Sequence, residues 1–251
     1  VSCIWVLKFI TSEKTTVKLR RIYLKPDLKI IFAICSLGIS SFIMISTESL
    51  LQISFNNRLS IYGGTTAVGV MSIMNTLLQC VSLPTQGIMI GTQPILSYNY
   101  GAKEYSRVRE CFKFVIKLTT GATILIAGSI ILFSDLFVHI FTTDQTYIEF
   151  SRWSIKVFLI GMTIFGLQIG CQQSFMALGQ AKVSLLLACL RKIVLLIPLI
   201  FILPCFLADK VFAVFLAEPI SDILAATVTT ITFLTRFDKI LEVGVQVKKG
   251  D

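Results

Sequence analysis

The sequence predicts an all-α membrane protein, a bundle of six transmembrane helices. Apolar residues make up 55% of the 251-residue chain and charged residues only 15%, whereas a soluble domain carries roughly a quarter charged residues. Apolar segments recur along the chain, each closed by a short polar connection, and their length suits a hydrocarbon core of ~30 Å. Only helices or closed barrels cross such a core. A barrel would need alternating strands of about ten residues, and the sequence shows no such pattern.

The order of segments follows from the same apolar pattern. Residues 1–10 resemble the end of a truncated helix, so we expect a sequence that is incomplete at its N-terminus. A basic connection at 11–28 follows. We expect the second span to stop near Pro94 and to pass through a turn at 97–101, and residues 236–251 to form a tail. The six spans are predicted at about 29–57, 65–92, 112–133, 152–178, 183–203 and 211–235.

The basic residues predict the orientation of these spans. Seventeen Lys and Arg residues lie on the side of the first connection, four lie on the opposite side, and two (Arg191 and Lys192) lie inside the fifth span. Because cytoplasmic loops carry the excess of positive charge, the first connection and the C-terminal tail are expected in the cytoplasm. The same asymmetry accounts for the net charge of +9, and we expect no nucleic-acid partner.

Polar residues inside the second span form a regular series. Their spacings of 3, 4, 3, 4 and 7 residues place them on one stripe of a helix. Two interpretations stay open: the side chains hydrogen-bond neighbouring helices, or they form the wall of a water-filled cavity, which we favour because the stripe holds four amides. The series consists of Ser72, Asn75, Gln79, Ser82, Gln86 and Gln93.

Glu48 is the charged side chain deep in the first span, and Gln52 lies on the same face. A charge at a helix centre costs ~2.5–3.5 kcal/mol on insertion scales, so we expect Glu48 to face the interior of the bundle. Such a glutamate can exchange a proton for a cationic ligand. Alternatively, it can be a structural residue that is permanently hydrogen-bonded.

Glu218 and Asp222 stand one turn apart in the sixth span. Such a pair either shares a proton or meets a cation, for which Arg191 or Lys192 is a candidate. The fourth span adds uncharged amides, including Gln168 and Gln172.

No catalytic motif is present in the sequence: GxSxG, HExxH and the Walker A loop are all missing, and we expect no enzyme. The seven cysteines are scattered without a CxxC pair, so neither a metal site nor a disulfide framework is expected, and no cofactor beyond a coupling ion. A secondary transporter, or part of one, is the class that remains. The candidate residues of its substrate and ion pathway are Glu48, Gln52, Asn75, Gln79, Gln86, Gln168, Gln172, Glu218 and Asp222.

One motif makes the class more specific. The run GTQPILSYNYGA at 91–102 precedes a basic helix start at 107–109. This segment resembles the multidrug and toxic compound extrusion (MATE) family, in particular its MepA-like bacterial branch, and the stretches 46–49, 175–180 and 217–222 agree in position. The residues that carry the motif are Gln93, Pro94, Tyr98, Asn99, Tyr100 and Gly101.

The resemblance implies a C-terminal six-helix lobe of a twelve-helix MATE-type transporter, multi-pass in the plasma (inner) membrane of a bacterium. It implies antiport of small amphipathic, often cationic drugs against H⁺ or Na⁺, with the lipid bilayer and an N-terminal lobe missing from this chain as partners. Glu48 matches a first-span glutamate important in some members, but the fourth-span aspartate of the NorM-like branch has no counterpart. Alternatives are a lipid-linked oligosaccharide flippase of the related superfamily and a non-transporting membrane scaffold.

Overall fold

A computed structural model describes Trp5, Lys8, Phe9 and residues 28–249. The predicted helix end at 1–10 and the predicted connection at 11–28 therefore lie largely outside the described residues. The chain divides into two compact units, Val1–Ile45 and Ser46–Asp251. The packing and the cavity described below belong to the second unit.

Every regular element in the described residues is helical, which confirms the predicted all-α class. The elements are α1 (Leu28–Gly101), α2 (Tyr105–Leu132), α3 (Ser134–Phe141), α4 (Gln145–Leu159), α5 (Met162–Ala177), α6 (Ala181–Cys189), a π-helical segment (Leu190–Leu196), α7 (Ile197–Phe206) and α8 (Lys210–Lys249). Within this part of the chain, five helical stretches are long and apolar enough to cross a membrane: Ile45–Gly101, Tyr105–Leu132, Gln145–Ala177, Lys182–Phe206 and Lys210–Phe237.

Helix α1 is broken at Gly64, where the backbone torsion angles are not helical (φ 66°, ψ −159°). This region of the torsion map is essentially confined to glycine. The 57 residues of Ile45–Gly101 would extend about 85 Å as one straight helix, almost three times the ~30 Å of a hydrocarbon core. The break gives α1 two arms, 28–63 and 65–101, and it lies between the predicted first and second spans.

The structure corrects the predicted turn at 97–101, because α1 continues as a helix past Pro94 to Gly101. A proline removes a single N–H donor from a helix, and the residues beyond it remain helical here. The hydroxyl of Ser97 also donates to the carbonyl of Ala177 at the end of α5 (3.0 Å). The connection to α2 is thereby reduced to three residues.

The predicted boundaries shift at two other places. Helix α8 continues beyond the predicted end at 235 as far as Lys249, so the predicted tail is helical over its described part. The predicted fourth span consists of α4 and α5, which meet at residues 160–161. The division into six spans and the cytoplasmic side of the tail stay predictions.

Close packing of α2 against α5 depends on a glycine. A Cβ atom added at Gly166 would lie 2.4 Å from the carbonyl oxygen of Thr119. In the other direction, the hydroxyl of Thr119 donates to the carbonyl of Gly166 (3.0 Å). Small residues that let helix backbones approach and hydroxyls that bond across helices are typical of membrane bundles.

Two apolar clusters hold the helices together. The first includes Phe158 and Phe215, whose rings meet edge to face with centroids 5.9 Å apart. The second is centred on Phe233, whose ring stacks on that of Phe112 with centroids 4.4 Å apart. The first cluster borders the cavity, because Phe158 also lines it.

Candidate functional site

A cavity of about 300 Å³ lies inside the second unit. Both arms of α1, the α4–α5 pair, the π-helical segment and α8 contribute to its wall. Its polar lining residues are Glu48, Gln52, Asn75, Gln79, Ser82, Gln86, Arg191, Lys192 and Glu218. Its apolar lining residues are Leu51, Phe55, Met71, Leu78, Phe158, Met162, Phe165 and Leu196.

The structure brings most of the predicted polar stripe to this cavity. The four consecutive members from Asn75 to Gln86 line it, whereas Ser72 and Gln93 lie outside the lining. The amides of Gln52 and Asn75 donate to each other's oxygens (3.1 and 3.2 Å). One pair therefore joins the two arms of α1, while other members of the stripe remain exposed to the cavity.

Glu48 lines the cavity together with Gln52, and its carboxylate is paired. The ammonium of Lys192 donates to Oε2 of Glu48 at 2.5 Å. The two residues are 144 positions apart in the sequence, and they lie on the first arm of α1 and on the π-helical segment. The glutamate of the first span thus has a cationic partner within the same chain.

Arg191 is held between two carboxylates of α8. Its guanidinium donates to Oδ1 of Asp222 (2.7 Å from Nε) and to Oε1 of Glu218 (3.0 Å from Nη2). The guanidinium also lies 5.1 Å from the centroid of the Phe165 ring. The acid pair was expected either to share a proton or to meet a cation. The structure contains the second arrangement, with Arg191 as the cation. Glu218 borders the cavity, and Asp222 lies behind it, outside the lining.

The two predicted amides of the fourth span do not reach this cavity. Gln168 is 1% exposed and its Oε1 has no hydrogen-bond partner in the structure. Gln172 donates to the carbonyl of Ser184 (3.3 Å), which links α5 to α6. Helix α5 instead presents apolar residues to the cavity.

The apolar residues of the lining were not predicted. Phe158, Met162 and Phe165 recur at intervals of four and three residues, which is the spacing of one helical face. That pattern was available in the sequence. It does not distinguish a cavity wall from ordinary core, because both are apolar.

The residues of the 91–102 motif lie at the end of α1 near α2, outside the described cavity. The side-chain amide of Asn99 donates to the carbonyl of Ile95 (2.8 Å). The ring of Tyr100 meets that of Tyr105 edge to face, with centroids 6.1 Å apart. Within the described structure, none of the six lines the cavity: Gln93, Pro94, Tyr98, Asn99, Tyr100 and Gly101.

Helices that can cross a membrane, with a cavity of mixed polar and apolar lining between them, are the features of a multi-pass membrane protein. The sequence profile of the MatE family matches residues 39–202, more than half of the chain. The chain belongs to this family.

Two curated relatives illustrate the sequence likeness. The chain is 25% identical over 179 residues to the multidrug export protein MepA of Staphylococcus aureus (strain NCTC 8325), a match that covers 71% of this chain and 39% of that protein. It is 21% identical over 227 residues to MepA of Staphylococcus haemolyticus (strain JCSC1435), covering 90% of this chain and 50% of that protein. The chain thus spans half or less of the length of these relatives.

Solved structures confirm the MATE-type fold. A crystal structure of MATE in the bent conformation superposes with a TM-score of 0.83 at 17% identity, covering 97% of this chain and 54% of the other. The inward-facing conformation of a multidrug resistance MATE family transporter of the MOP superfamily superposes with a TM-score of 0.83 at 17% identity. This match covers 95% of this chain and 55% of the other. A MOP superfamily transporter from Pyrococcus furiosus superposes with a TM-score of 0.81 at 16% identity. This match covers 95% of this chain and 54% of the other.

Proposed function

We propose that this chain is the C-terminal half of a secondary multidrug transporter in a bacterial plasma membrane. The complete protein would export amphipathic, often cationic drugs in exchange for H⁺ or Na⁺. Membership of the MatE family and similarity to proteins named multidrug export protein support this proposal. The share of about half of each relative agrees with a chain that forms one of two lobes.

The observation that carries the proposal is the mixed character of the cavity wall. Apolar side chains such as Phe158 and Met162 and amides such as Asn75 and Gln79 line the same cavity of about 300 Å³. Ligand sites for small amphipathic molecules combine a mostly apolar wall with a few polar groups. The carboxylates of Glu48 and Glu218 provide negative charge for a cationic drug or a coupling ion.

The proposed orientation has the C-terminus in the cytoplasm. It is supported by the seventeen basic residues on the side of the first connection against four on the other, as the positive-inside rule requires. The proposed partner is an N-terminal lobe of the same fold, and rocking of the two lobes would expose the cleft alternately to each side. Parallel six-helix halves of this kind occur in other transporters.

The experiment that tests the proposal measures drug export in cells. The full-length protein is produced in bacteria that lack their own efflux pumps, and ethidium accumulation is followed by fluorescence. We expect lower accumulation with the wild type and a clear loss of this effect with Glu48→Gln. Glu149→Gln is the matched control, because Glu149 is an exposed acid on α4 outside the cavity, and it should export normally.

Two alternatives give different results. A lipid-linked oligosaccharide flippase would leave ethidium accumulation unchanged and would favour a basic cavity, but the charged residues of this lining are two acids and two bases. A membrane scaffold would show no export and no effect of Glu48→Gln. Either result would contradict the proposed function.

A further inference from the structure

Two neighbouring cations of the π-helical segment have different surroundings. The side chain of Arg191 is 13% exposed, and its carboxylate partners on Asp222 and Glu218 are 1% and 8% exposed. The side chain of Lys192 is 21% exposed, and that of its partner Glu48 is 58% exposed. The first ion pair is enclosed by protein, whereas the second can be reached from the cavity.

The enclosed pair fixes the segment that carries the accessible one. The hydroxyl of Ser221 donates to the backbone carbonyl of Arg191 (3.0 Å), so side chain and backbone of this residue are both bound to α8. A π-helical turn disturbs the regular hydrogen bonds of a helix and often marks a functional site. Because Arg191 is fixed in this way, the next residue, Lys192, is presented to the cavity opposite Glu48.

Glu48 is the more exposed of the two acids in the cavity wall, since its side chain is 58% exposed and that of Glu218 only 8%. An organic cation that enters the cavity therefore meets Glu48 as its accessible anionic partner. That position is already occupied by the ammonium of Lys192. The incoming cation must displace an ammonium that is covalently tethered to the wall and cannot diffuse away.

We propose that Lys192 is a tethered counter-ion of Glu48 that competes with organic monocations for this carboxylate and thereby determines the specificity of the cavity. The inference rests on the proposed function, because it takes the cavity as the drug site. Cations that displace the ammonium well are bound, whereas uncharged amphipathic molecules bind without displacing it. Lys192 is thus a specificity-determining residue, and Arg191 is the residue that positions it.

The test is a double-mutant cycle on ligand affinity. Binding of tetraphenylphosphonium to the purified full-length protein in detergent is measured by calorimetry for wild type, K192Q, E48Q and E48Q/K192Q. Removing one partly exposed competitor should make K192Q bind about five-fold more tightly than wild type. In the E48Q background the same change should give no gain, because the carboxylate for which Lys192 competes is gone.

For a second variant, K192R, we expect a change in affinity of the opposite sign. This variant tests the inference even if K192Q does not fold. Arginine keeps the charge and can bind a carboxylate through two donors, so K192R should bind the cation more weakly than wild type. K182Q is the matched control, because Lys182 is an exposed lysine of α6 outside the lining, and its affinity should equal that of wild type.

Three results would overturn the inference: equal affinities of K192Q and wild type, an equal gain in the E48Q background, or no measurable binding by any of the proteins. The second result would mean that Lys192 merely repels cations through its field. The two proposals fail separately. If ethidium is not exported but the double-mutant cycle gives the expected affinities, only the proposed function is contradicted. If export is normal but K192Q binds with the affinity of wild type, only this inference is contradicted.

Discussion

Arg191 and Arg152 both pair with carboxylates, but in different surroundings. The guanidinium of Arg191 is enclosed with Glu218 and Asp222. Arg152 contacts Asp135 at 2.6 Å with side chains that are 50% and 59% exposed. Removing one partner of a buried pair leaves an uncompensated charge, whereas solvent replaces an exposed partner at little cost.

We expect Arg191→Met to destabilise the protein by about 3–5 kcal/mol, because two carboxylates lose their cation. Arg152→Met should cost less than ~1 kcal/mol. Unfolding of both variants in detergent micelles, followed by circular dichroism, gives the comparison. Equal losses of stability would contradict the assignment of Arg191 as the residue that anchors the π-helical segment to α8.

The amide pair of Gln52 and Asn75 allows a test of coupling between the arms of α1. Gln52→Leu and Asn75→Leu each leave one amide without its partner, at a cost on the order of 0.6–1.7 kcal/mol for a hydrogen bond between membrane helices. The double variant should cost less than the sum, because no amide is left unpaired. Thermal unfolding gives the loss of stability of the two single variants and of the double variant. Strict additivity would show that the two amides do not act as a pair.

At the scale of helices, the contact of α2 with α5 is limited by backbone distance. The Cβ atom of an alanine at 166 would meet the backbone of Thr119, which cannot rotate away as a flexible side chain can. A substitution at Gly121 on α2 meets nothing within 4 Å. The two glycines therefore have different roles, although both lie in apolar helices.

We expect Gly166→Ala to destabilise the protein by about 1–3 kcal/mol through overpacking. Gly121→Ala should be neutral or slightly stabilising, because alanine favours the helix more than glycine does by about 1 kcal/mol. Melting temperatures of the two variants in the same detergent provide the measurement. A stable Gly166→Ala protein would show that α2 and α5 are further apart than the 3.0 Å hydrogen bond from Thr119 to the carbonyl of Gly166 requires.

For the whole molecule, the periodicity of the sequence predicted the polar wall of the cavity. The spacing of Asn75, Gln79, Ser82 and Gln86 follows the helical repeat, and a single long helix presents all four to one side. The insertion cost of a charge led us to expect Glu48 inside the bundle, and the structure places Glu48 in the cavity lining with its side chain 58% exposed. Both features depend only on the period of a helix and on the cost of a charge in lipid.

Contacts between distant helices could not be predicted in the same way. The pairing of Lys192 with Glu48 joins residues 144 positions apart and depends on the rotation of the π-helical segment, which no local pattern specifies. The orientation of helix α5 could not be predicted either, because its amides and apolar residues are distributed around the whole helix. The sequence therefore could not show that Gln168 is buried outside the cavity and that Gln172 bonds to α6.

Transport through the cavity requires above all that the polar stripe faces water inside a membrane bundle. Accessibility of single cysteines tests this claim directly: Gln79→Cys and Gln86→Cys in the stripe are compared with Leu125→Cys and Ile231→Cys, whose native side chains are exposed apolar groups on α2 and α8. The variants are made without the native cysteines and treated in intact membranes with a water-soluble maleimide, which reacts with the thiolate.

We expect the two stripe positions to react and to be protected by tetraphenylphosphonium, and the two apolar positions to stay largely unmodified. Unreactive stripe cysteines beside reactive cysteines at 125 and 231 would contradict a water-facing stripe and, with it, the proposed transport path.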